Sequence, residues 1–95
     1  MDSSHFAEYQ CILDILRQAR KKQRVTQKAL AAALGRSQPF VAKYEMGELR
    51  LDIVEFVRIA RLLGLSPAKV LKDVAVDLQP LEGDRKYGYL GKKLV

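Results

Sequence analysis

The chain has one cysteine, one histidine and no tryptophan in 95 residues. A single thiol, Cys11, excludes an intramolecular disulfide and fits a reducing compartment. Its neighbours Ile12 and Leu13 suggest a buried structural thiol rather than a reactive one. The lone imidazole, His5, sits in a polar N-terminal stretch that is expected to be flexible over residues 1–5. With no Cys/His pair, metal-ligand cluster, glycine-rich phosphate loop or spaced carboxylate pair, the sequence gives no reason to expect an enzyme, a metal or a cofactor. Long apolar runs are missing too, as is a signal-peptide pattern. The expectation is a cytoplasmic protein with no membrane partner.

What is present suits one small folded domain. A chain of 95 residues falls within the range of a single domain, and 48% hydrophobic residues suffice for a core. The net charge of +6 favours a polyanionic partner, nucleic acid first. Between positions 17 and 28 the chain carries Arg17, Arg20, Lys21, Lys22, Arg24 and Lys28 with no acid among them. Such a run has two readings: a solvated helix end favoured by the helix dipole, or a surface for phosphate.

Hydrophobic spacing predicts five helices. Phe6, Tyr9, Ile12, Leu13, Leu16 and Ala19 recur three and four apart, one face of a helix over about 6–23. Thr26 is a good N-cap with Val25 as its apolar staple, opening a helix over 27–34 that Gly35 closes. Ser37 caps a third helix over about 38–46, with Pro39 tolerated in its first turn. Asp52 and Glu55 make a capping-box pattern at the head of a fourth, whose expected buried stripe is Ile53, Phe56, Val57, Ala60 and Leu63. Ser66-Pro67 opens a fifth that runs to about 76. Residues 78–95 change character, with Gly83, Gly88 and Gly91 among Tyr87, Tyr89, Leu90 and Leu94, and are a candidate dimerisation arm. The fold class is therefore all-α: a compact domain over 6–77 with a short C-terminal tail.

The segment 26–46 holds two short helices joined by a tight turn containing glycine, the helix-turn-helix arrangement that presents a second helix to a major groove about 12 Å wide. The longer stretch "LRQARKKQRVTQKALAAALGRSQPFVAKYEMGELRLDIVEFVRIARLLGL" resembles the lambda repressor/Cro-like helix-turn-helix family, also called the XRE family. The resemblance covers about residues 9–76. It is carried by Leu16-Arg17, Arg20, Thr26-Gln27, Leu30-Ala31, Leu34-Gly35, Ser37, Val41, Tyr44-Glu45 and Gly47, then by Ile59-Ala60 and Leu62-Leu63-Gly64.

The resemblance implies a transcriptional regulator that binds double-stranded DNA, with roles carried over residue by residue. Gln27 would hold a phosphate at the start of the second helix, where free N–H groups and the dipole favour anions. Gln38, Pro39 and Lys43 would face bases. Lys28, Arg36, Ser37, Phe40 and Arg50 would line the sugar-phosphate backbone. Arg20 and Glu45 would form a structural ion pair, since a carboxylate facing DNA would repel phosphate. Two positions depart from the family pattern: Met46 and Glu48 flank Gly47 where relatives carry a residue that reaches phosphate, and Arg50 is the candidate substitute. The resemblance also implies a repressor acting as a homodimer on a pseudo-palindromic operator. The rival reading is an antitoxin-like interaction module whose tail binds a partner protein.

Overall fold

The computed structural model describes residues 3–76, with side chains from 7 to 75. Five helices follow one another: α1 (Ser3–Lys22), α2 (Gln27–Leu34), α3 (Gln38–Glu45), α4 (Ile53–Leu62) and α5 (Pro67–Val76). The described residues contain no strand, so the domain is all-α. The tail expected at 78–95 lies outside the described residues. At the other end α1 begins at Ser3, ahead of the Phe6 start that apolar spacing marks. Apolar spacing marks only the packed part of a helix, and backbone hydrogen bonding carries the turn further toward the N-terminus.

The starts of α2 to α5 are each set by a side chain that accepts from an otherwise unpaired backbone N–H. Thr26 Oγ1 accepts from the N–H of Ala29 at 3.0 Å, Ser37 Oγ from that of Phe40 at 3.4 Å, and Ser66 Oγ from that of Lys69 at 3.2 Å. At α4 the capping box closes both ways: Glu55 N–H donates to Asp52 at 2.7 Å, and Asp52 N–H donates to Glu55 at 2.9 Å. Gly35 ends α2 with φ +70°, a conformation that costs residues with a Cβ about 1–2 kcal/mol. Arg24 adopts the same region, φ +59°, after α1.

The five helices close on one core of Leu13, Leu16, Leu30, Ala31, Phe40, Val41, Tyr44, Phe56, Ile59, Ala60, Leu63 and Val70. Helices α2 and α3 pack most extensively on each other, α1 packs on α3 and α5, and α4 on α2 and α5. The stripe expected on α4 shifts. Ile53 is 80% exposed while Ile59 is fully buried. A side chain in the first turn projects back past the helix start (the Cα–Cβ bond tilts that way), beyond the packed surface. Cys11 is exposed rather than buried, because α1 presents Leu13 and Leu16 inward and position 11 lies on the other face.

Candidate nucleic-acid interface

The turn between α2 and α3 turns the chain sharply without loosening it. Gly35 N–H donates to Ala32 at 3.1 Å and Arg36 N–H to Ala31 at 2.9 Å. Ser37 then caps α3 at once. Behind the turn, Leu30, Ala31, Val41 and Tyr44 are buried together, so the two helices share one packed core. The starts of α2 and α3 carry no acidic residue in their first turns. Their caps are neutral hydroxyls, which leave the positive ends of both helices unneutralised.

Around these starts the structure leaves Lys28, Arg36, Ser37, Gln38 and Pro39 exposed and Gln27 half-buried, and Lys43 in the last turn of α3 is exposed too. Gln27 and Gln38 are joined: Gln38 Nε2 donates to Gln27 Oε1 at 3.0 Å. Gln27 Nε2 in turn donates to Glu45 Oε1 at 2.9 Å.

Glu45 also meets Arg20. Arg20 Nε donates to Glu45 Oε2 at 2.7 Å and Nη2 to Oε1 at 3.1 Å, the fork geometry that makes such pairs strong. Arg20 Nη1 donates to the Val25 carbonyl at 2.8 Å. Both side chains are at least nine-tenths buried, so α1 is tied to the end of α3 and to the entrance of α2. Four polar side chains thus run in one line from the interior to the surface, in the order Arg20, Glu45, Gln27, Gln38.

Two of the side chains expected at the DNA backbone have partners within the fold. Phe40 is 7% exposed, its ring tilts against Tyr44 with centroids 5.7 Å apart, and the Arg36 guanidinium lies over it 3.9 Å from the centroid. A large aromatic ring one turn before Tyr44 is drawn into the core by the apolar area it buries. Arg36, in turn, is partly engaged within the fold, with Nη1 donating to Glu55 Oε2 at 2.8 Å. The hydrogen bond from Asp52 N–H, then that from Arg36, hold the Glu55 carboxyl below its ordinary value.

Arg50 is exposed, and its guanidinium lies 4.7 Å from the centroid of the Tyr9 ring. The Tyr9 hydroxyl accepts from the N–H of Leu51 at 3.0 Å, so this contact fixes the loop that follows α3. Met46, one of the two departures from the family pattern, is 67% exposed. The basic run splits by role: Arg20 turns inward, whereas Lys21 and Lys22 border an open groove with Ile15 and Leu65. Sequence reasoning missed Glu55 as the partner of Arg36 and missed the join between Glu45 and Gln27. Neither pair shares a helix, so helical spacing carries no signal for them.

Among the described residues no group of three or more His, Cys, Asp or Glu side chains is placed to hold a metal ion. No described helix is long and apolar enough to cross a membrane.

Residues 16–70 match the Helix-turn-helix family. A comparison with curated proteins gives no match. Among solved structures the chain is similar to an XRE-family like protein from Pseudomonas syringae pv. tomato str. DC3000, at 44% identity and a TM-score of 0.74, covering 79% of this chain and 92% of that one.

Proposed function

The chain belongs to the XRE-type helix-turn-helix family of DNA-binding regulators, and from that premise we propose that it is a sequence-specific transcriptional repressor. It binds a pseudo-palindromic operator as a homodimer and represses by occupying a promoter. The observation that carries this reading is the pair of helix starts at Thr26 and Ser37. Both are capped by hydroxyls, free of acids and flanked by exposed Lys28 and Gln38, with exposed Lys43 further along α3.

In this reading the start of α3 enters the major groove. Gln38 pairs with a base edge, Lys43 donates to a guanine O6 or N7, and Pro39 holds the first turn of α3 in shape. Lys28 and the second N–H of Gln27 meet phosphates beside the groove, where the start of α2 favours anions. One domain reads too few base pairs for useful selectivity, so two copies bind half-sites about 34 Å apart. Arg20 and Glu45 hold the reading helix on α1.

The test is affinity against salt on duplexes selected from a random pool and on scrambled duplexes. The selected sites bind at least about a thousandfold more tightly, with two chains per site and half-site symmetry. Lys43→Ala relaxes one base pair by about 1–3 kcal/mol, and Lys28→Ala lowers the salt slope by about one unit on every sequence. Equal affinity for all sequences, or one chain per site, contradicts the reading.

A further inference from the structure

We propose that Glu45 is a positioning residue for base recognition: it fixes the amide orientation of Gln27, and through it that of Gln38, so that Gln38 selects adenine over guanine. The inference rests on the DNA-binding reading above and deepens it.

The argument is one of donors and acceptors. A carboxylate paired with a guanidinium has no hydrogen to give, so it only accepts. Glu45 Oε1 lies 2.9 Å from the Gln27 amide, and that amide must therefore turn its NH2 group inward. Its carbonyl oxygen is left facing Gln38, 3.0 Å away. A carbonyl also only accepts, so Gln38 must turn its own NH2 toward Gln27. The orientation of both amides follows from the charge at the buried end of the line.

What remains free on Gln38 is one N–H and the carbonyl oxygen, one donor and one acceptor. Adenine presents N7 as an acceptor and its N6 amino group as a donor, the complementary pair. Guanine presents two acceptors, N7 and O6. With the line reversed, Gln38 would accept from Gln27 and keep both N–H groups, which suits guanine instead. The ion pair between α1 and α3 therefore does more than join two helices. Its sign reaches the groove through two neutral amides.

A purely structural Glu45 would affect stability without affecting which base is chosen, and this separates the two accounts. The measurement is selection of bound duplexes from a random DNA pool, below the melting temperature of every variant, with affinity measured against salt. The wild type selects adenine at the base pair that Gln38→Ala relaxes. Glu45→Gln, whose amide can face Gln27 either way, lowers the adenine-over-guanine ratio at that base pair by about tenfold or more, with the salt slope unchanged.

Should Glu45→Gln leave Arg20 too poorly paired to fold, the double replacement Arg20→Met with Glu45→Met serves. Swapping a buried ion pair for apolar residues of similar size is often tolerated, and it removes the acceptor for Gln27. The same base pair relaxes in this variant. Full adenine preference retained in either folded variant overturns the inference and leaves the DNA-binding reading standing, as does guanine selected by the wild type at that position. A wild type that selects no sequence at all overturns the DNA-binding reading itself.

Discussion

The two ends of α3 differ in almost every physical respect although the helix is only eight residues long. At the start, Ser37, Gln38 and Pro39 are exposed, no acid is present, and the cap is a neutral hydroxyl. At the other end Tyr44 is fully buried and Glu45 is locked onto Arg20. One end is left open to a partner while the other is fixed in the body. The difference shows how a helix of about two turns can act as a probe. Too short to be stable alone in water, it takes its stability from the buried end and keeps its polar groups at the free one.

The comparison is broken most severely at the buried end. Glu45→Ala leaves Arg20 buried without its partner, and a loss of about 3–5 kcal/mol in unfolding free energy is expected by denaturant titration. A variant with unchanged stability would show that α3 is held by something else. Next comes Gly47, just past α3. Its φ of +82° is unfavourable for any other residue, and an added Cβ would lie 2.9 Å from Gln10 Nε2. The amide end of Gln10 can move aside, so the backbone dominates and Gly47→Ala costs about 1–2 kcal/mol.

At the free end the expected loss is in binding. Ser37→Asp retains a capping oxygen, so its stability stays within about 0.5 kcal/mol of the wild type. The added negative charge should weaken DNA binding by about tenfold (~1.4 kcal/mol) at low salt, with the gap narrowing as salt rises. If binding were unaffected, the start of α3 would not face phosphate or bases.

The smallest effects concern what surrounds the two ends. The carboxyl of Glu55, which pairs with Arg36 ahead of the α3 cap, has a lowered pKa in the fold. A depressed acid contributes stability that is fully present above its unfolded value, near 4.5, and is lost as pH falls through the folded value. Glu55→Gln should therefore be less stable than the wild type at neutral pH, with the difference shrinking as pH drops below that point. Within the core, burial first and then the charge of Glu45 push the Tyr44 phenol above its usual range, with Tyr9 adding and Arg20 opposing. The Tyr44 hydroxyl has no hydrogen-bond partner among the described residues. Removing an unpaired buried hydroxyl sacrifices no hydrogen bond, so Tyr44→Phe should melt at or slightly above the wild-type temperature.

Much of this was legible in the amino-acid order. Thr26, Gly35, Ser37, Asp52 and Ser66 mark helix limits through local chemistry, and the structure places α2 and α5 at the limits they imply. The ion pair of Arg20 with Glu45 was readable only through family resemblance, because its members are 25 positions apart. Three features had no local signal. Phe40 is buried because α2 and α3 meet around it, Ile53 is exposed because α4 starts before it reaches the core, and Arg36 finds Glu55 only once α4 has packed on α2. Each depends on how helices approach one another rather than on their own sequence.

The division of α3 is tested most directly by following backbone amide signals by NMR while a selected operator duplex is titrated into the full chain. The account predicts the largest shifts at Gln27, Lys28, Ser37, Gln38 and Phe40, with Tyr44 and Glu45 moving least along α3. Larger shifts at Tyr44 and Glu45 than at Gln38, or none at the start of α3 on saturation with DNA, would contradict it.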